Sequence, residues 1–300
     1  MHINKHDSHI LPVKFEYHAP ETVEEVIELL MEHGEEARLL AGGTDLLVKM
    51  KQRLLEPRHL INLKKIDGLN GIEERHDGVH IGAVTRLRDL ERSEVIRDRL
   101  PLLHEAVKAV GSVQIRNMAT VGGNICNASP SADAALALIA LDAKIDIAGS
   151  KGMRRLPLEE FFLGPGQTLL EAGEMLVNIV VSPPAPGSGS AFIKLGRTSL
   201  DLATISIATI LTLKKGAVDL CRIAMGAVAP TPLRAREAEE FLKGKELTGE
   251  VLSRAAKLVS EAISPITDIR STAEYRRAAS KGLTLDALTR AAKAAGGSGS

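Results

Sequence analysis

Two short stretches of this chain join paired glycines to small polar residues: Ala41-Gly42-Gly43-Thr44-Asp45 and Thr120-Val121-Gly122-Gly123-Asn124. A glycine lacks Cβ, so it reaches positive φ and lets the backbone come close to a ligand. Successive N–H groups in such turns form a concavity for anions, and a helix that starts just afterwards adds its positive end. One loop of this kind suits one phosphate. Two in one domain, with no basic cluster beside them, point to a pyrophosphate held from both sides. The hydroxyls of Thr44 and Thr120 and the amide of Asn124 offer further bonds. Neither loop has the G-x-G-x-x-G spacing of a Rossmann site or the G-x-x-x-x-G-K-[ST] spacing of a P-loop. Either Gly-Gly pair alone reads as well as a tight turn; the two together, with their polar neighbours, favour a ligand.

The stretch Asn124 to Asp133 has no regular periodicity and is rich in small polar residues, a composition suited to wrapping an extended, hydroxyl-rich ligand. Asp133 stands where a helix is expected to start. There its carboxylate either caps free N–H groups or accepts a hydroxyl from a ribityl or ribose group, and spacing alone does not choose. The nine histidines show no metal-ligand spacing, and each reads as a surface or hydrogen-bonded side chain. Cys126 reads as a small packing residue. No acid–base catalyst and no metal ligand is assigned.

The elements around these loops read as follows. Thr22-x-x-Glu25 is a capping box ahead of the helically spaced Val23, Val26, Ile27 and Leu30, and Gly34 ends that helix. Arg38 to Ala41 is a short strand running into the first loop, with a helix through Leu47 and Met50 after it. His59 to Leu63 is a further strand. Ile72–Arg75 and Val79–Ile81 flank an Asp77-Gly78 turn and predict a hairpin. Short helices follow from Leu87 to about Val110, then the second loop and a helix from about Ser131 to Leu141. Strands near Lys144–Ile147 and Leu176–Val181 complete this part. The run Ser182 to Ser190, all Pro, Gly, Ser and Ala, cannot hold a helix or a central strand and marks a seam. Beyond it, Phe192–Leu195, Ala203–Leu213 and Leu220–Val228 predict a three-stranded antiparallel sheet. Helices near Leu233–Leu242, Glu250–Ile263 and Thr272–Ala294 predict a helical bundle. Gly296 to Ser300 reads as a disordered tail or a cloning scar.

Composition agrees with this outline. Lys+Arg and Asp+Glu both number 38, so net charge is zero, and aromatics are only 2%. A nucleic-acid interface has neither its basic footprint nor its stacking platform. Two cysteines cannot build a disulfide framework or a four-Cys iron–sulfur cluster. The polar start predicts no secretory signal, and the longest apolar run, Ala134 to Leu141, is far short of the roughly 18 residues of a membrane helix. The expectation is a cytoplasmic α+β protein.

Taken together, several motifs resemble the FAD-binding (medium) subunit of the molybdenum hydroxylases, the xanthine dehydrogenase and carbon monoxide dehydrogenase flavoprotein family. They are Phe15-x-Tyr17-x-x-Pro20-x-Thr22, the first loop extended through Leu46-Leu47, Gln114-Ile115-Arg116-Asn117 leading into the second loop, and Ala128-Ser129-Pro130-x-x-Asp133. Lys194-Leu195-Gly196-Arg197, Asp201-Leu202-Ala203 and Gly226-Ala227-Val228-Ala229-Pro230-Thr231-Pro232 complete the set. The resemblance implies a PCMH-type FAD-binding fold of two α/β subdomains, about 1–64 and 65–182. It implies a linker over 183–190 and a carbon monoxide dehydrogenase flavoprotein-like C-terminal domain over 191–295. FAD would contact Leu40, Ala41, Gly42, Gly43, Thr44, Asp45 and Leu46 from the first loop, and Thr120, Gly122, Gly123, Asn124, Ser129 and Asp133 from the second region. Leu176 would lie near the isoalloxazine, and Lys194 and Arg197 would approach the flavin region. The implied partners are a molybdopterin-containing large subunit and a [2Fe–2S] small subunit, with NAD or another electron acceptor. Two other readings are a freestanding FAD-dependent oxidoreductase and a flavin-free assembly subunit. The Cys-rich insertion of the 4-hydroxybenzoyl-CoA branch is absent. Gly-Gly-Thr-Asp in place of Gly-Gly-Gln-Ser or Gly-Gly-His-Ser leans towards the purine and N-heterocycle enzymes.

Overall fold

The computed structural model describes residues 11, 14–198 and 200–296 of the chain. The expected tail residues 297–300 lie outside the described residues.

Residues 14–64 form a small parallel sheet backed by helices. Its elements are β1 (Glu16–His18), α1 (Val23–His33), β2 (Ala37–Leu40), α2 (Leu46–Lys51) and β3 (His59–Asn62), with strand order β1-β3-β2. Local chemistry sets α1: the Thr22 hydroxyl accepts the Glu25 N–H, Glu25 reaches back to the Glu21 N–H, and Gly34 closes the helix at φ +49°.

A five-stranded antiparallel sheet follows, in the order β4-β5-β10-β6-β7. Its first hairpin is β4 (Ile72–Arg75) and β5 (Gly78–Gly82), turning at Gly78 as the Asp-Gly signal predicts. Six short helices come next: α3 (Leu87–Arg92), α4 (Glu94–Arg99), α5 (Pro101–Lys108), α6 (Val113–Met118), α7 (Val121–Cys126) and α8 (Asp133–Ala140). Then come β6 (Lys144–Gly149), β7 (Gly152–Pro157), the two-stranded β8 (Phe162–Gly164) and β9 (Gln167–Thr168), and β10 (Met175–Val181). Beyond its first residue, Asp133, the helix α8 is apolar all round, and it is wholly buried, as expected of a helix at the centre of a core.

The C-terminal part contains β11 (Ser188–Leu195), β12 (Ile205–Lys214), β13 (Ala217–Gly226), β14 (Leu233–Arg234), α9 (Arg236–Leu242), α10 (Gly249–Ala262) and α11 (Ala273–Ala294). Its antiparallel sheet has four strands, not the expected three. Leu233–Arg234, expected to open a helix, instead pairs with Met225 and Ala224. The edge of β13 takes the Leu233–Arg234 backbone into the sheet, and the helix starts only at Arg236. The strand β11 begins at Ser188, within the Pro/Gly/Ser run, but occupies the sheet edge. Gly189 is needed there, since a Cβ would lie 1.9 Å from the Ala291 carbonyl oxygen of α11.

Candidate functional site

The first glycine loop leaves the C-terminal end of β2 and enters α2. Only Gly43 of its pair has a left-handed backbone, at φ +73°. Gly42 serves a different need. A Cβ on it would sit 2.2 Å from the Met118 carbonyl oxygen and 2.9 Å from Ala119 Cα, the residues just before Thr120. The fold therefore lays the first loop directly on the entry to the second, although about 75 residues separate them in sequence. Among the described residues, the N–H groups of Gly42, Gly43 and Thr44 have no protein acceptor. The Thr44 hydroxyl has only a long contact, 3.4 Å, to Asp45.

The second loop departs from the expected turn. Gly122 and Gly123 lie inside the first turn of α7, and neither has positive φ. Thr120 is the N-cap, its hydroxyl accepting the Gly123 N–H at 3.1 Å. Val121 N–H donates to Thr85 O and Gly122 N–H to Ala83 O. The first N–H groups of α7 are thus consumed by the protein, and anion binding falls to the first loop and to side chains. Gly122 is small because Ala83 abuts it: a Cβ would stand 2.6 Å from the Ala83 carbonyl oxygen.

Asn127, at the end of α7, ties the two regions together. Its amide donates to Asp45 at 3.1 Å and its carbonyl accepts from Lys49 Nζ at 2.9 Å. Ala128 then takes φ +46°, and the Ser129 hydroxyl accepts the Ser131 N–H. Asp133 is the first residue of α8 but does not cap it; Ala132 holds the cap position without a side-chain bond. The Asp133 carboxylate turns to Lys194 of β11, at 2.7 Å, and Lys194 also donates to the Ala109 carbonyl at 2.8 Å. Burial raises the Asp133 carboxyl to about 6, against the opposing pull of Lys194. Two buried acceptors in this region, Asn124 Oδ1 and Asp133 Oδ1, have no partner among the described residues. A buried acceptor without a donor is costly, so these two atoms fit a ligand that brings hydroxyl or amide hydrogens.

This set of contacts lays the first loop on the entry to Thr120, ties Asp45 to Asn127 and joins Asp133 to Lys194. Leu176 is not part of it by hydrogen bonding: it is buried in β10 and packs in the main core. Arg197 stays exposed and pairs with Asp201. Asn127, Lys49 and Ala109 were not singled out by sequence reasoning, because their roles exist only through partners dozens of residues away. Burial pushes the Cys126 thiol up to about 12, in keeping with a packing role.

A fold of a parallel subdomain, an antiparallel subdomain and an antiparallel-sheet-plus-helix domain, with this loop pair between the first two, defines a class. The chain belongs to the family described as the FAD binding domain in molybdopterin dehydrogenase, which matches residues 13–184, and it continues into the CO dehydrogenase flavoprotein C-terminal domain over residues 190–291. It is 41% identical over 269 residues to the carbon monoxide dehydrogenase medium chain of Hydrogenophaga pseudoflava, covering 90% of this chain and 94% of that one. A solved structure of the carbon monoxide dehydrogenase of that organism superposes with a TM-score of 0.92 at 41% identity, covering 94% and 98% of the two chains. The xanthine dehydrogenase FAD-binding subunit of Escherichia coli O157:H7 is 34% identical over 284 residues, 94% of this chain and 97% of that one. The protein is an FAD-binding oxidoreductase subunit of the molybdenum hydroxylase type. The identities do not follow the leaning towards purine enzymes drawn from Gly-Gly-Thr-Asp.

Proposed function

We propose that this chain is the electron-transfer flavoprotein of a multi-subunit molybdenum hydroxylase. In this reading it receives electrons from [2Fe–2S] clusters of a small subunit, in a complex with a molybdopterin-containing large subunit, and delivers them to NAD or another external acceptor. The observation that carries it is the contact of Gly42 with Met118 and Ala119, which lays the loop with unbonded N–H groups on the entry to the segment that holds the unpaired Asn124 Oδ1 and Asp133 Oδ1. When bound, FAD supplies the redox chemistry, and the protein's part is to bind it, orient it and set its electrostatics.

In this assignment Gly42, Gly43 and Thr44 donate backbone N–H groups to the pyrophosphate, with Leu40, Ala41, Asp45 and Leu46 shaping the loop around it. Thr120, Gly122 and Gly123 hold α7 in place beside it. Asn124, Ser129 and Asp133 take the hydroxyl groups of the ligand. Leu176 gives the ring an aliphatic neighbour. Lys194 keeps Asp133 ionised and lends positive charge to the flavin end. Companion chains are inferred from the relatives' designation as medium chains and subunits. Val113, Ile115 and Met118 of α6, all at least two-fifths exposed just before the second loop, offer apolar surface for such contact. Cytoplasmic residence is part of the proposal and is supported by two unpaired cysteines, Cys126 and Cys221.

Purified chain is expected to be yellow, to show a flavin spectrum, and to release FAD, not FMN, on denaturation. Colourless protein that cannot be reconstituted with FAD would overturn the reading. Rapid turnover of an organic substrate by the isolated chain would instead make it a freestanding oxidoreductase.

A further inference from the structure

We propose that His18, His33 and His59 form a site for a divalent transition metal of the zinc(II) type, which ties the first strand and first helix to the middle of the parallel sheet. The three residues are 15 and 26 positions apart and come from three elements: His18 ends β1, His33 ends α1 and His59 opens β3. The strand register explains their meeting. Glu16 lies opposite His59 in the parallel pair, and alternation puts His18 on the same face as Glu16. The C-terminal end of α1 packs on that face and delivers His33.

One ring nitrogen of each histidine lies within 4.8 Å of the others. Nε2 of His18 and Nδ1 of His59 face each other at 3.1 Å, and the His33 and His59 rings stack at 3.7 Å between centroids. Four-coordinate zinc with Zn–N bonds of about 2.0–2.1 Å separates its ligand nitrogens by about 3.3–3.4 Å. The His18–His59 pair already stands near that spacing, and the remaining gap is within reach of imidazole rotation. Glu16 Oε2, 3.6 Å from His59 Nδ1, is placed to become a fourth ligand. Beside the cluster, a cleft of about 380 Å³ is lined by His18 with Glu25, Glu28 and Glu32 of α1, so the approach is acidic and favours a cation. All three histidines are half-buried, which suits a structural ion held among side chains and still open to loading. The site is separate from the glycine loops: His59 pairs with Ala37 at the start of β2, whereas the first loop follows Leu40 at its end.

The test uses the full flavin-loaded chain, stripped with a chelator and given zinc chloride. One zinc per chain should survive gel filtration, and the melting temperature should rise by several degrees. His33→Gln and His59→Gln should each weaken zinc binding at least tenfold and abolish the rise, with flavin content unchanged. Replacing His2, His6 and His9 together, the imidazoles nearest the start of the sequence, should leave binding intact. Cobalt(II) added to the unmutated chain should give the intense visible bands of a four-coordinate site, a readout that needs no variant to fold. No retained zinc, retention in either glutamine variant as strong as in the unmutated chain, loss on replacing His2, His6 and His9, or only the weak spectrum of six-coordinate cobalt would each overturn the site. Flavin content reads out separately, so failure here leaves the flavoprotein assignment standing.

Discussion

At the scale of single residues, the four glycines of the two loops do three different jobs. Gly42 and Gly122 permit backbone-to-backbone packing, Gly43 supplies a left-handed turn, and Gly123 offers its N–H to the Thr120 cap. Gly42→Ala and Gly122→Ala force Cβ into carbonyl oxygens at 2.2 and 2.6 Å that belong to rigid backbone. Overpacking of this kind costs about 1–3 kcal/mol, and both variants are expected to melt earlier and to lose flavin on gel filtration. Gly123→Ala meets only the Thr120 hydroxyl, at 2.8 Å, and gains helix propensity, so it should keep its flavin. Equal flavin loss in all three would refute this division of labour. Asp133 makes a pH prediction. With its folded pKa at about 6, above the ordinary carboxylate value of about 3.9, it binds more protons in the folded chain than in the unfolded one between those limits. Its contribution to stability is therefore full below about pH 4 and lost as pH rises through 6. Glu91 and Asp146 act in the opposite sense: burial opposes it, but hydrogen bonds from Arg116 and Arg155 hold their carboxyls low. The test is thus a difference. Stability of the native chain minus that of Asp133→Asn, from urea titrations, should fall between pH of about 4 and about 6.5 and level off above it; a flat difference across that window would remove the raised pKa.

At the scale of elements, α6 and α7 carry the second loop, and both are only six residues long. Helices this short are not stable alone, so their anchors matter. Arg116 of α6 is buried, pairs with Glu91 of α3 at 2.8 Å and donates to the Val110 and Gly111 carbonyls. Removing one partner of a buried pair costs about 3–5 kcal/mol. Arg88 also holds Glu91 at 2.8 Å, so Arg116→Met should fall at the low end of that range. Thr120→Ala removes the α7 cap, a loss of about 1 kcal/mol, and Thr120→Ser should restore it. Chemical denaturation measures both. A serine variant no better than alanine would mean that the threonine methyl, not the cap, matters.

At the scale of the molecule, the C-terminal domain completes the core of the flavin domain. Ala208, Ile210 and Ala224 of β12 and β13 belong to the same buried cluster as α8. The Ala227 N–H donates to the Pro130 carbonyl at 2.7 Å, Arg222 pairs with Asp142, and Arg236 pairs with Glu159. A Cβ on Gly226 would strike the Ser206 hydroxyl at 2.5 Å and press on Leu136 of α8 at 3.3 Å. Lys194 reaches from β11 to Asp133 across the same boundary. Two consequences follow. Calorimetry of the whole chain should show one cooperative transition; two resolved peaks would mean that the docking is weaker than this packing implies. Lys194→Met should lower flavin retention although Lys194 lies outside residues 13–184, because it strands a buried carboxylate at the proposed flavin site. Unchanged flavin content would remove Lys194 from the site.

Much of this was legible in the chain itself. The Thr22 cap, the Gly34 stop, the Asp77-Gly78 hairpin and the apolar run of α8 depend on neighbours a few residues away, and backbone sterics with local hydrogen bonds settle them. The glycine loops and their flanking motifs identified the family for the same reason: they are contiguous. The errors share a cause. Thr120-Val121-Gly122-Gly123-Asn124 is a helix start and not an open turn because Ala83 and Thr85 take its N–H groups. The choice left open at Asp133 goes against the helix cap because Lys194, 61 residues on, takes its carboxylate, and β14 exists because β13 offers it an edge. His18, His33 and His59 have no spacing to read, since only the register of β1 on β3 and the packing of α1 bring them together. Local sequence determined which elements form and which ligand class they suit. The tertiary structure decided which side chains meet, because such meetings depend on sheet register and interdomain packing between segments far apart in the chain.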